Sequence, residues 1–323
     1  MERLDHFMAR ANAAYYATRD PFADFTTSPE LSQAFGEILG LWSAIVWQSM
    51  GSPDPVIFAE AGPGRGTLMA DALRAIARAA PDFAAAHRLH LVESSPRLRA
   101  IQAEKLPHAT WHATLSDIPA GPMIFLANEF LDALPIRQFV CRGDDWAERF
   151  VANGVFVEQP AAPPGRAAND NDIVEICEPA LAIATALGQR LGAQGGAALF
   201  LDYGAEKSAP GDSLQALRAG EPADPLAEPG GADLTAHVDF AAFAAAAQIA
   251  GAAIHGPLAQ GKFLTRLGLV PRTAVLARTQ PPERAAVLMQ TAQRLTEPDR
   301  MGHLFKVLAL CHPGLPTPPG FEG

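Results

Sequence analysis

The amino-acid sequence predicts an α/β protein with a Rossmann-like, mostly parallel β-sheet, an N-terminal helical extension and an antiparallel β insertion. Three observations predict this fold. An apolar run at residues 56–60 leads into alternating glycines and then a helical pattern, the opening of a βαβ unit. Further short apolar runs alternate with helical segments along the chain. Between residues 136 and 177 short β-prone runs follow one another without helices, which indicates antiparallel pairing.

Each element follows from a local pattern. Ser28 is a good N-cap with Pro29 at the first helical position, and Asp20-Pro21-Phe22 ends the helix before it. Helical spacing predicts helices at residues 2–17, 29–50, 67–74, 96–105, 178–191, 240–249, 262–278 and 283–295. Apolar, β-prone runs predict strands at residues 56–60, 89–93, 110–113, 123–127, 137–142, 146–151, 155–158, 173–177, 197–201, 252–256 and 305–311.

These elements divide the chain into four parts. Residues 1–52 are expected to form a helical cap, and residues 53–135 the first half of the Rossmann-like domain, which binds the cofactor. Residues 136–177 form the antiparallel insertion, and residues 178–323 the second half. Within that half, residues 206–231 are rich in Gly, Pro and acids and have little periodicity, which predicts a lid loop.

Composition narrows the function. Hydrophobic residues make up 49% of the chain and charged residues 19%, which excludes global disorder. A net charge of −10 argues against nucleic-acid binding and permits attraction of a basic peptide. The three cysteines are far apart, so we expect a reducing compartment, no disulfide framework and no metal site. We find no membrane-spanning stretch or signal peptide, and therefore expect a cytoplasmic, bacterial-type chain.

The glycine motif indicates the cofactor. A dinucleotide fingerprint would need glycine where Thr67 stands, and a Walker A loop would need a lysine. An acid at the strand end followed by x-G-x-G-x-G is instead typical of class I S-adenosylmethionine (SAM) methyltransferases, whose fold has a mostly parallel seven-stranded sheet. An ordinary glycine-rich turn is the alternative. The residues assigned here to SAM binding are Glu60, Gly62, Pro63, Gly64, Gly66, Thr67 and Leu68.

Two further strand ends complete the predicted cofactor site. Glu93 ends the second strand, where a carboxylate can accept both ribose hydroxyls, and Ser94 follows it. An acid beside a helix N-cap is the alternative for Glu93. Asn128 and Glu129 end the fourth strand and are expected to touch the cofactor as well, since ligands bind beyond the carboxyl ends of strands.

The same edge of the sheet supplies the catalytic candidates. If the acceptor is arginine, a carboxylate pair can hold its guanidinium and take the released proton. Glu129 and Asp132 are the first candidates, with Asp202 after the fifth strand, His237 and Asp239 as further ones. A polar loop with capping acids is the alternative for the first pair, and a plain helix-entry residue for His237.

The sequence resembles the MidA-like family of class I methyltransferases over residues 15–307. The matching blocks are DFTTSPELSQAFGE (24–37), EAGPGRGTLMADALR (60–74), LVESSPRLRAIQ (91–102), ANEFLDALPIRQF (127–139), LDYG (201–204), DLTAHVDF (233–240) and MGHLFKVL (301–308). The resemblance implies a protein-arginine N-methyltransferase acting on a respiratory complex I subunit. The chain departs from the family at residues 21–25, which look shortened, and near Gly220, where a histidine is missing.

Other functions remain open at this point. Thr67 disfavours a dehydrogenase. A non-catalytic SAM-binding assembly factor or scaffold would keep Glu60, the glycines and Glu93 but would need no acceptor carboxylates, so Asn128 and Glu129 favour an enzyme. A small-molecule methyltransferase would share the cofactor site. The predicted partners are a protein substrate with an exposed arginine and, as an option, a second copy of the chain in a homodimer.

Overall fold

The structure is a computed structural model that describes residues 1–19 and 27–322. The predicted helix end at residues 20–22, the shortened segment at residues 21–25 and the start of the first matching block therefore lie outside the described residues. The described helices, numbered in chain order, are α1 (Leu4–Thr18), α2 (Ser28–Leu31), α3 (Gln33–Ser49), α4 (Thr67–Ala79), α5 (Pro81–Ala86), α6 (Pro96–Lys105), α7 (Glu178–Gln194), α8 (Phe240–Ile249), α9 (Gln260–Arg266), α10 (Leu269–Ala277) and α11 (Pro282–Thr296).

The strands belong to three sheets. In chain order they are β1 (Glu2–Arg3), β2 (Val56–Ala61), β3 (His87–Val92), β4 (Thr110–His112), β5 (Met123–Asn128), β6 (Arg137–Arg142), β7 (Asp145–Ala152), β8 (Val155–Ala161), β9 (Ile173–Ile176), β10 (Gly196–Ala205), β11 (Gln215–Arg218), β12 (Glu221–Ala223), β13 (Asp233–Thr235), β14 (Val238–Asp239), β15 (Ala253–Ala259) and β16 (Phe305–Cys311).

The main sheet is mixed, with a parallel centre. Its strands run in the order β15-β16-β10-β5-β2-β3-β4, and β14 also pairs with β10. The pairs from β10 through β5, β2 and β3 to β4 are parallel, whereas β16 is antiparallel to both of its neighbours. Along the chain, β3 and β4 are added on one side of β2, and β5 is then added on its other side. The crevice at this reversal is where open α/β sheets bind their ligands.

Hydrophobic cores cover both faces of the main sheet. Successive side chains of β2 alternate between them, so that Phe58 packs with α3 and α4 whereas Ala59 packs with α7 and α8. Helix α3 crosses α4 closely because Gly40 has no side chain. A Cβ atom there would lie 2.6 Å from the carbonyl oxygen of Ala72. This packing fixes α4 and, with it, the glycine turn from which α4 starts.

The antiparallel insertion forms the second sheet. Strands β6 to β9 fall at the predicted positions, and β1 from the N-terminus pairs with β7 in the same sheet. Above it, α1 packs Leu4, Phe7 and Met8 against Leu226 and Leu234 in a third core. The first helix is thereby anchored to the second half of the chain, beside the main sheet.

Several sequence predictions of local structure are wrong. The predicted lid at residues 206–231 is not structureless, since it contains the β11–β12 hairpin, which joins β13 in a third sheet. The single helix predicted at residues 29–50 is two helices, because Ser32 has extended backbone angles (φ −146°, ψ 113°). Its first helix begins at Ser28 with Thr27 in the cap position. The helix predicted at residues 262–278 is broken at Gly268, which has φ +83°.

Candidate functional site

A cavity of about 560 Å³ opens at the carboxyl ends of β2, β3 and β5, at the reversal of strand order. Helix α1 closes its other side. Ten of the eleven residues predicted to bind the cofactor line it: Glu60, Gly62, Pro63, Gly64, Thr67, Leu68, Glu93, Ser94, Asn128 and Glu129. The sequence thus identified residues that the fold brings together around one space.

The glycine turn is shaped by left-handed backbone angles. Gly62, Gly64 and Gly66 have φ values of +62°, +53° and +73°, which only glycine adopts without strain. A Cβ atom on Gly62 would also lie 2.9 Å from Cδ2 of Phe130. Gly66 does not line the cavity; it occupies the N-cap position of α4, and its amide donates to the carbonyl of Pro63 at 2.7 Å.

Glu60 is a buried acid with an unused oxygen. It lies near the end of β2, is 2% exposed and lines the cavity. Its Oε2 has no hydrogen-bond partner among the described residues. Burial raises the pKa of this carboxyl to about 8. A cationic ligand group in the cavity would both satisfy the oxygen and stabilise the ionised form.

Glu93 directly follows β3 and is held by two donors. Its Oε1 accepts from the amide of Ser95 at 2.8 Å, and its Oε2 accepts from Nε2 of Gln102 at 3.2 Å. Burial raises the pKa of Glu93, and these hydrogen bonds partly oppose that effect. The N-cap of α6 is Ser95, whose Oγ accepts from the amide of Leu98 at 3.4 Å, so Glu93 is not the capping residue.

Glu129 is held in an unusual conformation just after β5. It has a φ of +50°, and its amide donates to the carbonyl of Leu201 at 2.8 Å. Its Oε1 accepts from the amide of Ser28 and from Nδ2 of Asn128, both at 2.9 Å. The oxygen Oδ1 of Asn128 is buried and has no partner in the described part of the chain. Burial raises the pKa of Glu129. Glu129 is one of the residues that line the cavity.

Asp202 is held by four backbone amides. Its Oδ2 accepts from the amides of Phe130, Leu131 and Asp132 at 3.0, 2.8 and 3.3 Å, and its Oδ1 accepts from the amide of Tyr203 at 2.9 Å. Burial and the charge of Glu129 raise its pKa, whereas these amides lower it. Asp202 does not line the cavity. It fastens the loop after β5, and so acts on the site through that loop.

The other catalytic candidates also lie away from the cavity lining. Asp132 is buried; burial, followed by the charges of Asp202 and Asp233, raises its pKa well above the usual range. His237 is exposed and packs edge-on against the ring of Tyr203 with centroids 5.4 Å apart. Asp239 caps α8 by accepting from the amide of Ala242 at 2.9 Å. Of the carboxylates in the candidate catalytic set, Glu129 reaches the cavity.

Sequence reasoning missed the wall that α1 provides. Five residues of this helix line the cavity: Ala9, Asn12, Ala13, Tyr16 and Ala17. Two of them fasten the helix. Asn12 donates to the carbonyls of Ala133 (3.0 Å) and Leu234 (2.8 Å), and the hydroxyl of Tyr16 donates to Oδ1 of Asp233 at 2.9 Å. The available signal was Asn12 itself, a polar residue among the apolar positions of the helix.

The geometry defines a class of protein. A parallel-centred sheet that reverses at β5, a glycine turn after a buried acid and a second acid on the neighbouring strand define a class I SAM-binding fold. SAM carries cationic groups, ribose hydroxyls and no phosphate. The unpartnered oxygen of Glu60, the held carboxylate of Glu93 and the open glycine turn fit those groups.

Comparison with known proteins identifies the family. Residues 38–258 match the family model described as "Putative S-adenosyl-L-methionine-dependent methyltransferase". The chain belongs to this MidA-like family of SAM-dependent methyltransferases, which confirms the family and the cofactor predicted from the sequence.

Relatives and solved structures agree with this assignment. The chain is 34% identical to the Drosophila melanogaster "Protein arginine methyltransferase NDUFAF7 homolog, mitochondrial", over 96% of this chain and 80% of that protein. It is also 34% identical to the human "Protein arginine methyltransferase NDUFAF7, mitochondrial", over 96% and 79%. The crystal structure of a Burkholderia thailandensis protein bound to S-adenosyl-homocysteine (SAH) superposes with a TM-score of 0.79 at 26% identity, covering 99% of this chain and 88% of that one.

One prediction is contradicted by these comparisons. We expected a cytoplasmic chain, but the Drosophila and human relatives are mitochondrial proteins, so a purely cytoplasmic location is wrong. Among the described helices, none combines the length and the apolar character needed to cross a membrane.

Proposed function

We propose that this protein transfers a methyl group from SAM to an arginine side chain of a protein substrate. The observation that carries the proposal is Glu129, a buried carboxylate with a strained backbone at the cavity. Both named relatives are protein arginine methyltransferases, which supports the same acceptor here. The family resemblance further suggests the counterpart of a respiratory complex I subunit as the substrate.

The cofactor is assigned to the glycine turn and the two acids beside it. We propose that Glu60 receives the ammonium group of the methionine part, since its Oε2 has no other partner within the described chain. Glu93 would accept the two ribose hydroxyls, and Ser94, Thr67 and Leu68 would pack around the nucleoside. Gly62, Pro63 and Gly64 would pass close to the ligand, while Gly66 shapes the turn.

The acceptor is assigned to the loop after β5. Glu129 would bind the guanidinium and aim one nitrogen at the methyl group, with Asn128 beside it. We assign Asp132 and Asp202 to the support of this loop, because Asp202 binds three of its amides and neither residue lines the cavity. His237 is left without a part in the reaction, since it lies outside the cavity.

The residues then have separate tasks in one displacement. SAM, when bound, supplies a methyl group activated on a sulfonium. A bond forms from the guanidinium nitrogen to the methyl carbon as the bond from sulfur breaks, and SAH leaves. The nitrogen loses one proton, which the carboxylate of Glu129 can accept. Burial raises the pKa of Glu129, which makes its carboxylate a better proton acceptor.

The finer organisation is part of the same proposal. We divide the chain into a helical cap (1–52), a SAM-binding first half (53–135), an insertion (136–177) and a second half (178–323). The seven strands from β15 to β4 would form the methyltransferase sheet, with β14 as an addition. A homodimer remains the proposed assembly, and size determination in solution tests it.

Glu129→Gln tests the proposed function. The amide keeps the shape but cannot hold a cation by charge or take a proton, so we expect methyl transfer to fall roughly 10²-fold or more. SAH affinity should be nearly unchanged. The measurement is mass spectrometry of arginine methylation in cells that lack the protein and are complemented with either form, together with calorimetry of SAH binding. Glu178→Gln, an exposed acid on α7, is the control.

Two results would count against the proposal. Full arginine methylation with Glu129→Gln would remove this residue from the acceptor site. Tight SAH binding by the wild type, with no arginine methylation that depends on it in cells, would favour a non-catalytic scaffold.

A further inference from the structure

Gln102 joins the two parts of the cofactor site, although it does not line the cavity. It lies on α6 and is 0% exposed. Its Nε2 donates to the carbonyl of Gly64 at 2.8 Å and to Oε2 of Glu93 at 3.2 Å. One side-chain amide therefore contacts both the glycine turn after β2 and the acid after β3.

A third hydrogen bond fixes the orientation of this amide. The indole N–H of Trp111, on β4, donates to Oε1 of Gln102 at 2.8 Å. The carbonyl of Gly64 and the carboxylate of Glu93 both require a donor, and the indole requires an acceptor. The three bonds form together in only one of the two amide orientations, so Trp111 directs both N–H groups toward the cofactor site.

The carboxylate of Glu93 is consequently held at both oxygens. Oε1 accepts from the amide of Ser95, and Oε2 accepts from Nε2 of Gln102. A carboxylate oxygen can accept more than one hydrogen bond. The two held oxygens of one carboxylate therefore match two neighbouring hydroxyl groups on a ribose.

We propose that Gln102 is a positioning residue that sets the carboxylate of Glu93 to read both ribose hydroxyls, with Trp111 fixing its amide. The inference rests on the proposed cofactor site. It assigns to Gln102 that site's preference for a ribose over a deoxyribose. Gln102 acts through Glu93 and through the turn at Gly64, and it does not itself touch the ligand.

The test measures selectivity as well as affinity. Calorimetry compares binding of SAH and of its 2′-deoxy analogue to wild type, Gln102→Met and Trp111→Phe. Methionine fills similar space without donors, so we expect SAH affinity to fall about 10-fold and the preference for SAH over the deoxy analogue to shrink toward one. Trp111→Phe, which removes one N–H and keeps a ring, should lower SAH affinity about 3-fold and shift the same ratio.

A control variant and a measurement of thermal stability distinguish a positioning role of Gln102 from a purely structural one. Glu104→Gln, an exposed change on the same helix, should leave affinity and selectivity unchanged. Variants that lose thermal stability but keep the wild-type preference for SAH over the deoxy analogue would overturn the positioning role. If Gln102→Met does not fold, the selectivity of Trp111→Phe decides. A wild-type protein that binds neither ligand would instead overturn the proposed cofactor site.

Discussion

Glu60 and Asp202 are both buried acids near the carboxyl ends of parallel strands, yet their hydrogen-bond partners differ. The two oxygens of Asp202 accept four backbone amides. Oε2 of Glu60 accepts none from the described residues, and Glu60 is one of the residues that line the cavity. Burial is therefore common to the two acids. They differ in whether the described part of the protein already satisfies the carboxylate.

This difference has an energetic consequence. A carboxylate that accepts several amides stabilises the fold, because the donors would otherwise be buried without partners. A buried carboxylate without a partner costs free energy until a ligand arrives. Asp202 should accordingly matter most for stability, and Glu60 and Glu93 for binding.

Removing Asp202 should have the largest effect on stability. Asp202→Ala leaves up to four amides without an acceptor, and we expect the free energy of unfolding to fall by about 3 kcal/mol. Asp202→Asn keeps one acceptor oxygen and should lose less. Urea denaturation of the ligand-free protein measures both. A loss below about 1 kcal/mol for the alanine variant would show that the amides find other partners.

The positions of Glu60 and Glu93 were easier to predict from the sequence than the hydrogen bonds of Asp202. Glu60 and Glu93, which line the cavity, could be assigned to it from the sequence because each belongs to a local pattern of strand, turn and helix. The saturation of Asp202 was not foreseeable, because its donors at residues 130–132 lie about 70 positions earlier and reach it only through the pairing of β5 with β10.

Other features were missed by the sequence predictions for the same reason, because they depend on contacts between distant segments. The cavity wall contributed by Asn12 and Tyr16 depends on α1 docking against Ala133 and residues 233–234. The β11–β12 hairpin inside the predicted lid pairs with β13, and its composition of Gly, Pro and acids conceals it. Local periodicity located most of the strands and helices, whereas contacts between distant segments decided the α1 wall of the cavity and the hydrogen bonds of Asp202.

Glu93→Ala should show the opposite balance from Asp202→Ala. The two charge-assisted contacts that we propose between Glu93 and the ribose hydroxyls would be lost, so SAH binding should weaken by about 1.5–3 kcal/mol. The unfolding temperature without ligand should change little, because burial already raises the pKa of Glu93 and makes its charge costly. Calorimetry and thermal denaturation on the same preparation test this. Unchanged affinity with a large loss of stability would make Glu93 a structural acid like Asp202.

Glu60→Gln should give a pH-dependent stabilisation of the ligand-free protein. Burial raises the pKa of Glu60 from 4.5 to about 8 in the folded state, so its contribution to stability is full below pH 4.5 and is lost as pH rises to about 8. Glutamine does not titrate. We therefore expect the stability of the variant relative to wild type to rise by about 1–2 kcal/mol for each pH unit between these limits. A difference independent of pH would contradict the raised pKa.

The most direct test of the contrast between Glu60 and Asp202 is to measure how many protons are released when SAH binds. At pH 7 Glu60 is largely protonated in the free protein, and an ammonium group beside its open oxygen would favour the carboxylate. Calorimetry in buffers of different ionisation enthalpy should show that the wild type releases about one proton more than Glu60→Gln, with tighter binding as pH rises toward 8. Equal proton release by the two proteins would contradict the account, because Glu60 would then not be the acid left open for the cofactor.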